Sequence, residues 1–305
     1  MKNLSPHPFL FLATIVTTTF AGFYLFGTLQ EALYYSLSLI TILGTHEMGH
    51  YVLGRRRGVS ISPPYFIPVP SFSYFPTLGT FGAFIKVRSP VESRRALFDI
   101  GIAGPFAGII PAVFFSAIGI KLSTFTVGVT EEVGTTIKLG VPPLYELLQH
   151  LFSTAPGGGE ALYATYWHPF AFSGWLGMLV TALNLLPVGQ LDGGHIIFTI
   201  VSRKWHRRIS WGIIITLVFL GIGTKPFFDM SGLLSGEGLP SSLVKPYVFS
   251  GWNGWLVWAL ILTFISRRHP PILSDEAPID RPRKFMALLA FALLILCFTP
   301  FPIAL

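Results

Sequence analysis

The stretch GTHEMGHYVLGRRRG, residues 44–58, sets His46, Glu47 and His50 within about one helical turn, near the end of an apolar run. Residues i and i+4 of a helix share a face, so both imidazoles can hold one Zn2+ ion. Glu47 falls about 100° round the helix from His46. It is poorly placed as a ligand on that face but well placed to take a proton from the attacking water. In a membrane-spanning helix such ionisable groups are costly and default to function. The plain alternative is a pair of helix-face histidines satisfied by neighbouring backbone.

A catalytic zinc takes three protein ligands and leaves one position open. In TALNLLPVGQLDGGHI, residues 181–196, Asp192 is the carboxylate well inside a later apolar segment. Its carboxylate would complete a His46–His50–Asp192 site, and Gly193 and Gly194 would let helices approach closely around it. His195 is the competing ligand; Asp192 is preferred because a buried, unpaired carboxylate needs a cation more than a neutral imidazole does. The Asn184 amide is a further polar group at this depth. It would hold a substrate carbonyl or the oxyanion formed there, or else make an interhelical hydrogen bond.

The elements that must carry these residues are those of a membrane protein. Of the 305 residues 51% are hydrophobic, 28 are Phe and only 11% are charged, where a soluble domain carries about a quarter. Candidate spans cover about 8–28, 31–53, 97–120, 168–202, 209–223, 249–265 and 285–303, most near the roughly 20 residues that cross a bilayer. Pro187 should bend or break the fourth. The expected fold is an all-α polytopic bundle of about seven transmembrane helices forming one domain, with a catalytic core near 31–202 and accessory spans over 203–305. The single cysteine, Cys297, excludes an internal disulfide framework. The net charge of +7 does not point to nucleic acid, because the basic residues flank apolar spans instead of lining a soluble face. The first apolar run lacks a small-residue cleavage site and reads as a retained helix.

Charge sets the expected orientation. With the N-terminus cytoplasmic, seven spans put 17 of the 21 Lys and Arg residues on the cytoplasmic side, Arg55–Arg57 among them. Lys121, Lys138, Lys225 and Lys245 fall opposite, beside Glu131, Glu132, Glu146 and Glu160 of the 121–165 loop, and the C-terminus lies on that side. His50 precedes Arg55 by five residues, which puts a metal roughly 8–14 Å below the cytoplasmic surface. That loop is too short for a sizeable core of its own.

Residues 60–90 contain six prolines, five of them between 63 and 76, and cannot form one helix. GTFGAFIKV mixes glycine with β-formers, as a hairpin strand does. The segment reads as a re-entrant β-hairpin lining a cavity, where non-helical backbone is tolerated at membrane depth; the alternative is an amphipathic loop on the membrane surface. Gly104 and Gly108 form a small-xxx-small pair suited to helix packing. His7, His150, His168, His206 and His269 fall at span ends or in loops and read as solvated or interfacial groups.

HEMGH in the second span, followed by NLLPVGQLDGG and with GTFGAFIKVRSP…RRALFDIGIAGPFAG between them, resembles the site-2 protease family, the intramembrane zinc metalloproteases of peptidase family M50. The intervening stretch is similar to the branch, free of PDZ and CBS modules, that includes chloroplast thylakoid members. The resemblance covers roughly residues 31–200. It implies cleavage of a peptide bond in or near a transmembrane segment of a membrane-protein substrate, in regulated intramembrane proteolysis or membrane-protein turnover. It also implies one zinc on His46, His50 and Asp192, Glu47 as general base and acid, and Asn184 positioning substrate. The unwound substrate would then add as a strand to the edge offered by residues 78–87.

Two readings compete with a protease. A metal or ion transporter would spread ionisable residues along a path through several helices, whereas here they collect at one point. A non-cleaving binder of transmembrane helices would not need Glu47.

Overall fold

Thr28 and Glu31 start the helix that carries HEMGH. The Thr28 hydroxyl accepts the Glu31 backbone N–H at 3.2 Å and donates to the Glu31 carboxylate at 2.7 Å, a reciprocal cap that satisfies the first turn. The computed structural model describes residues 5–72, 77–91, 93–127, 138–153, 162–224, 251–266 and 278–304. Helix α1 (Pro6–Phe26) ends at Gly27, whose φ of 88° is open to glycine, and α2 (Leu29–Arg56) folds back along it. After an antiparallel hairpin of β1 (Tyr65–Pro68) and β2 (Thr80–Phe84) comes α3 (Arg94–Leu122), capped by Ser93. Helices α4 (Pro143–Phe152), α5 (Pro169–Leu185), α6 (Asp192–Ile200), α7 (Arg203–Ile222), α8 (Gly254–Ile265) and α9 (Arg281–Cys297) follow.

The main core lies between α2, α3, α4, α5 and α9, with Tyr35, Leu39, Ile120, Tyr145, Trp175, Met178 and Cys297 all buried. A second cluster joins α5 to α7 and α8 through Leu183, Leu217 and Trp255. A third joins α3, α6 and α9 through Phe98, Ile196 and Ala290. The C-terminal helix is therefore packed into the body that holds the HEMGH helix.

The fold is mostly helical, as composition requires, but its elements differ from seven uniform spans. Among the described residues, Pro6–Phe26 and Arg94–Leu122 are the two helices both long and apolar enough to cross a membrane by themselves. Helix α2 has 28 residues, but its His, Glu and Arg side chains lower its apolarity. Helices α5 and α9 have 17 residues and α8 has 12, short of the roughly 20 a perpendicular crossing needs. The expected fourth span, 168–202, is broken into α5 and α6 by a turn over 186–191 that contains Pro187 and Gly189, with φ 53° at the glycine. The last span, 285–303, stops as helix at Cys297.

The 121–165 segment is more than a loop. Strand β3 (Thr124–Val127) pairs with β5 (Leu162–Tyr166), and β4 (Lys138–Leu139) pairs with β6 (Ile303–Ala304), both antiparallel. Tyr145 and Leu148 of α4 are buried in the main core, so the segment shares that core. Glu131, Glu132, Glu160, Lys225, Lys245 and His269 lie outside the described residues.

The expected hairpin is present. Tyr65 faces Phe84 and Phe66 faces Ala83, with an irregularity before Pro68. Hydrogen bonds from Ser62 N–H to the Lys86 carbonyl (3.0 Å) and from Arg88 N–H to the Ser60 carbonyl (2.7 Å) extend the pairing toward its open end. Helix α1 backs the hairpin: His7 Nδ1 lies 3.0 Å from the Pro64 carbonyl, and Phe11 meets Phe66 edge-on at 5.2 Å.

Candidate metal centre and cavity

Three donor atoms, on two buried histidines and a half-buried aspartate, meet where α2, α3 and α6 converge. Nε2 of His46 and Nε2 of His50 are 3.2 Å apart, and each stands 3.2 Å from Oδ2 of Asp192. Ligands held at 2.0–2.1 Å around a tetrahedral zinc are separated by about 3.3 Å, so the triangle has the edge length of one face of such a site. The donor set, two imidazole nitrogens and one carboxylate oxygen, suits zinc. Among the described residues this is the one cluster of three or more such side chains able to share an ion.

Each donor is set by its backbone. His46 and His50 lie on the buried face of α2. The Ile100 carbonyl lies 2.7 Å from Nδ1 of His50; a hydrogen bond there fixes the ring and leaves Nε2 with its lone pair toward the cluster. Asp192 opens α6, where the unpaired N–H groups of a helix start favour a carboxylate. The break at Pro187 is thus what turns this carboxylate toward α2.

Close helix contact completes the geometry. A Cβ on Gly49 of α2 would come within 2.4 Å of the Ala103 carbonyl oxygen on α3. On α3, a Cβ at Gly104 would lie 2.0 Å from Nε2 of His50, and one at Gly108 would lie 2.9 Å from Cβ of His46. The small-xxx-small pair is indeed a packing device, and what it packs against is the two histidines. The spacing of the glycines signalled close approach but not its target.

A cavity of about 660 Å³ opens beside the cluster. His46, Glu47, His50, Asn184 and Asp192 line it, together with β2 from Thr80 to Phe84. Ile85, just past β2, lines the same cavity as Glu47. Nδ2 of Asn184 lies 3.4 Å from Nε2 of His46. His195 is in the same wall but outside the three-donor cluster. His168 and His206 are buried, not solvated as expected: the His168 ring accepts the Phe170 N–H at 3.2 Å to cap α5, and His206 meets Phe198 edge-on. His7 and His150 are also outside the cluster.

A profile of peptidase family M50 matches residues 34–222. The chain belongs to that family. The match begins in the first turns of α2 and runs through α7, so both the HEMGH helix and the Asp192 helix lie inside the M50 region. The chain is 31% identical over 283 residues to the probable zinc metalloprotease EGY1, chloroplastic, of Arabidopsis thaliana, covering 90% of this chain and 44% of that protein. It is 28% identical over 285 residues to the probable zinc metalloprotease EGY2, chloroplastic, of Oryza sativa subsp. indica, with the same 90% and 44% coverage. The chain therefore spans less than half the length of these M50 relatives. No solved structure matches it significantly.

Proposed function

We propose that this M50 chain is a zinc-dependent endopeptidase that hydrolyses a peptide bond in or near a transmembrane segment of a membrane protein. The observation that carries the reading is the 3.2 Å triangle of His46, His50 and Asp192, with Glu47 in the wall of the same cavity. His46, His50 and Asp192 hold the ion. When bound, zinc supplies a Lewis acid for the scissile carbonyl and lowers the pKa of water. The Glu47 carboxylate accepts a proton from the attacking water and returns it to the leaving amide nitrogen. The Asn184 amide donates to the carbonyl oxygen as negative charge develops on it.

A helical substrate hides its carbonyls in its own hydrogen bonds, so it must unwind before attack. Strand β2 pairs with β1 on one edge and lines the cavity with the other, which supports addition of the unwound segment as a further strand. Outward apolar side chains on several helices, among them Phe9, Leu12 and Val16 of α1 and Leu288 and Ile295 of α9, support a bilayer as the surrounding medium. The charge distribution supports seven spans with the N-terminus cytoplasmic, the short helices being extended by tilt or flanking residues, and a re-entrant hairpin near that face. Reporters at the two termini found on the same side would overturn that topology.

The deciding experiment incubates the purified chain with a single-span substrate, with and without a zinc chelator, beside a Glu47→Gln variant. Cleavage lost in both arms supports the protease. Undiminished cleavage by the variant overturns the role of Glu47, and undiminished cleavage under chelation overturns the metal mechanism.

A further inference from the structure

Asp99 and Ile100 are consecutive on α3, and each ties α3 to another element. The Ile100 carbonyl lies 2.7 Å from Nδ1 of His50. The Asp99 carboxylate accepts two parallel hydrogen bonds from Arg283, Nε to Oδ1 and Nη2 to Oδ2, both at 2.8 Å. Nη2 of Arg57, at the C-terminal cap of α2, also contacts Oδ2 of Asp99. Arg283 lies in the first turn of α9, where Asp280 caps the helix by accepting the Arg283 backbone N–H at 3.1 Å and also receives Nη1.

One carboxylate therefore joins the ends of α2, α3 and α9 beside the carbonyl that orients His50. Exposed ion pairs contribute little, but this one is not exposed. Asp99 and Arg283 side chains are 13% and 18% accessible, against 41% for Arg57, so Arg283 is the principal partner. The fork-to-carboxylate geometry fixes direction as well as distance. Around Asp99 the turn is apolar, with Leu97, Phe98 and Ile100 buried, so losing Arg283 would leave a poorly solvated charge that must move.

We propose that Asp99 and Arg283 are positioning residues for the metal site, acting on His50 through the Ile100 carbonyl. Helix α9, which lies beyond the matched region 34–222, is then part of the support of the M50 centre. The inference rests on the reading of His46, His50 and Asp192 as zinc ligands. Partners that orient a metal ligand typically change metal affinity 10–100-fold when lost, and a brace one bond further out belongs at about the lower end.

The test measures zinc affinity of the purified full chain by competition with a chromogenic chelator, and thermal unfolding of the metal-free protein in parallel. Arg283→Gln and Asp99→Asn are each expected to weaken zinc binding about tenfold. Arg283→Lys keeps the charge but not the fork, is the variant most compatible with folding, and should fall between. In the Co2+-loaded protein, the visible absorption bands should shift in Arg283→Gln, reporting altered ligand geometry. Tyr166→Phe is the control: it removes a tether to Glu31 at the opposite end of α2 and should leave zinc affinity unchanged. Lower metal-free stability with unchanged zinc affinity and unchanged Co2+ bands in all three brace variants would mean a structural tie alone and overturn the proposal. A wild-type chain that takes up no zinc would overturn the ligand reading beneath it, an outcome separate from variants that bind like wild type.

Discussion

A Cβ on Gly104 would stand 2.0 Å from Nε2 of His50, so the helix that packs against HEMGH is bare at the point where it meets a ligand imidazole. No rotation of a methyl group relieves such an overlap; the ring or the helix has to move. Gly104→Ala is expected to leave a folded protein with zinc content reduced by about an order of magnitude or more, read by elemental analysis after dialysis. Gly108→Ala, whose Cβ would meet Cβ of His46 at 2.9 Å, should have a smaller effect. Full zinc occupancy in Gly104→Ala would show that α3 can shift without disturbing the site.

The hairpin gives a second prediction, because its two edges are distinguishable. The Lys86 carbonyl and the Arg88 N–H bond to Ser62 and Ser60 on the β1 side, whereas Ile85 lines the cavity with Glu47. By strand alternation the backbone groups of Ala83 share the Ile85 edge, whereas Phe81 lies beyond the irregularity before Pro68, where the parity of the strand shifts. Proline at Ala83 removes a cavity-side donor while sparing the β1 ladder. Cleavage of a single-span substrate should fall about tenfold or more with zinc content unchanged. Cleavage at the wild-type rate in Ala83→Pro would sink the strand-addition idea.

How far the sequence reaches can be seen residue by residue. His46, Glu47, His50 and Asp192 were legible because ionisable groups in apolar runs have few innocent explanations, and the six prolines of 60–90 forced a non-helical element there. Gly104 and Gly108 announced close packing without saying against what, since the partner lies on another helix. The pairing of Lys138–Leu139 with Ile303–Ala304, and that of Asp99 with Arg283, separated by 184 positions, leave no local pattern at all. His168 looked like an interfacial residue because it sits at a span end, yet the turn it caps buries it. Periodicity and composition report a residue's own element; the long-range partner is set by how the elements pack.

His168 also carries a pH dependence. Its Nδ1 accepts the Phe170 N–H, so this nitrogen must be unprotonated, and burial lowers the imidazole below its ordinary value of 6.5, with the Glu31 carboxylate opposing that shift. A base depressed in the folded state favours the fold above its unfolded value and loses that contribution as the pH falls through the lowered one. Thermal stability should therefore decline on acidification below about pH 6.5, and the decline should be shallower in His168→Asn, which retains a capping oxygen. Parallel pH profiles for the two proteins would remove His168 as the source.

Asn184 separates a catalytic from a structural reading most sharply. Its Nδ2 lies 3.4 Å from Nε2 of His46, too long to hold that imidazole firmly, and its amide lines the cavity beside Glu47. If the amide serves the developing oxyanion, Asn184→Ala should lower kcat by about 10²–10³ with little change in KM, the cost of removing one such donor. Zinc affinity and thermal stability should stay near wild type, because neither the ligand triangle nor a core contact is lost. If instead the amide orients His46, zinc affinity falls along with rate, and the oxyanion role is lost. Asn184→Asp sharpens the comparison: the side chain has nearly the same shape, but ionised it presents an acceptor where a donor is needed, and its charge would repel the oxyanion. That variant should bind zinc at least as tightly as wild type and cleave more slowly than Asn184→Ala.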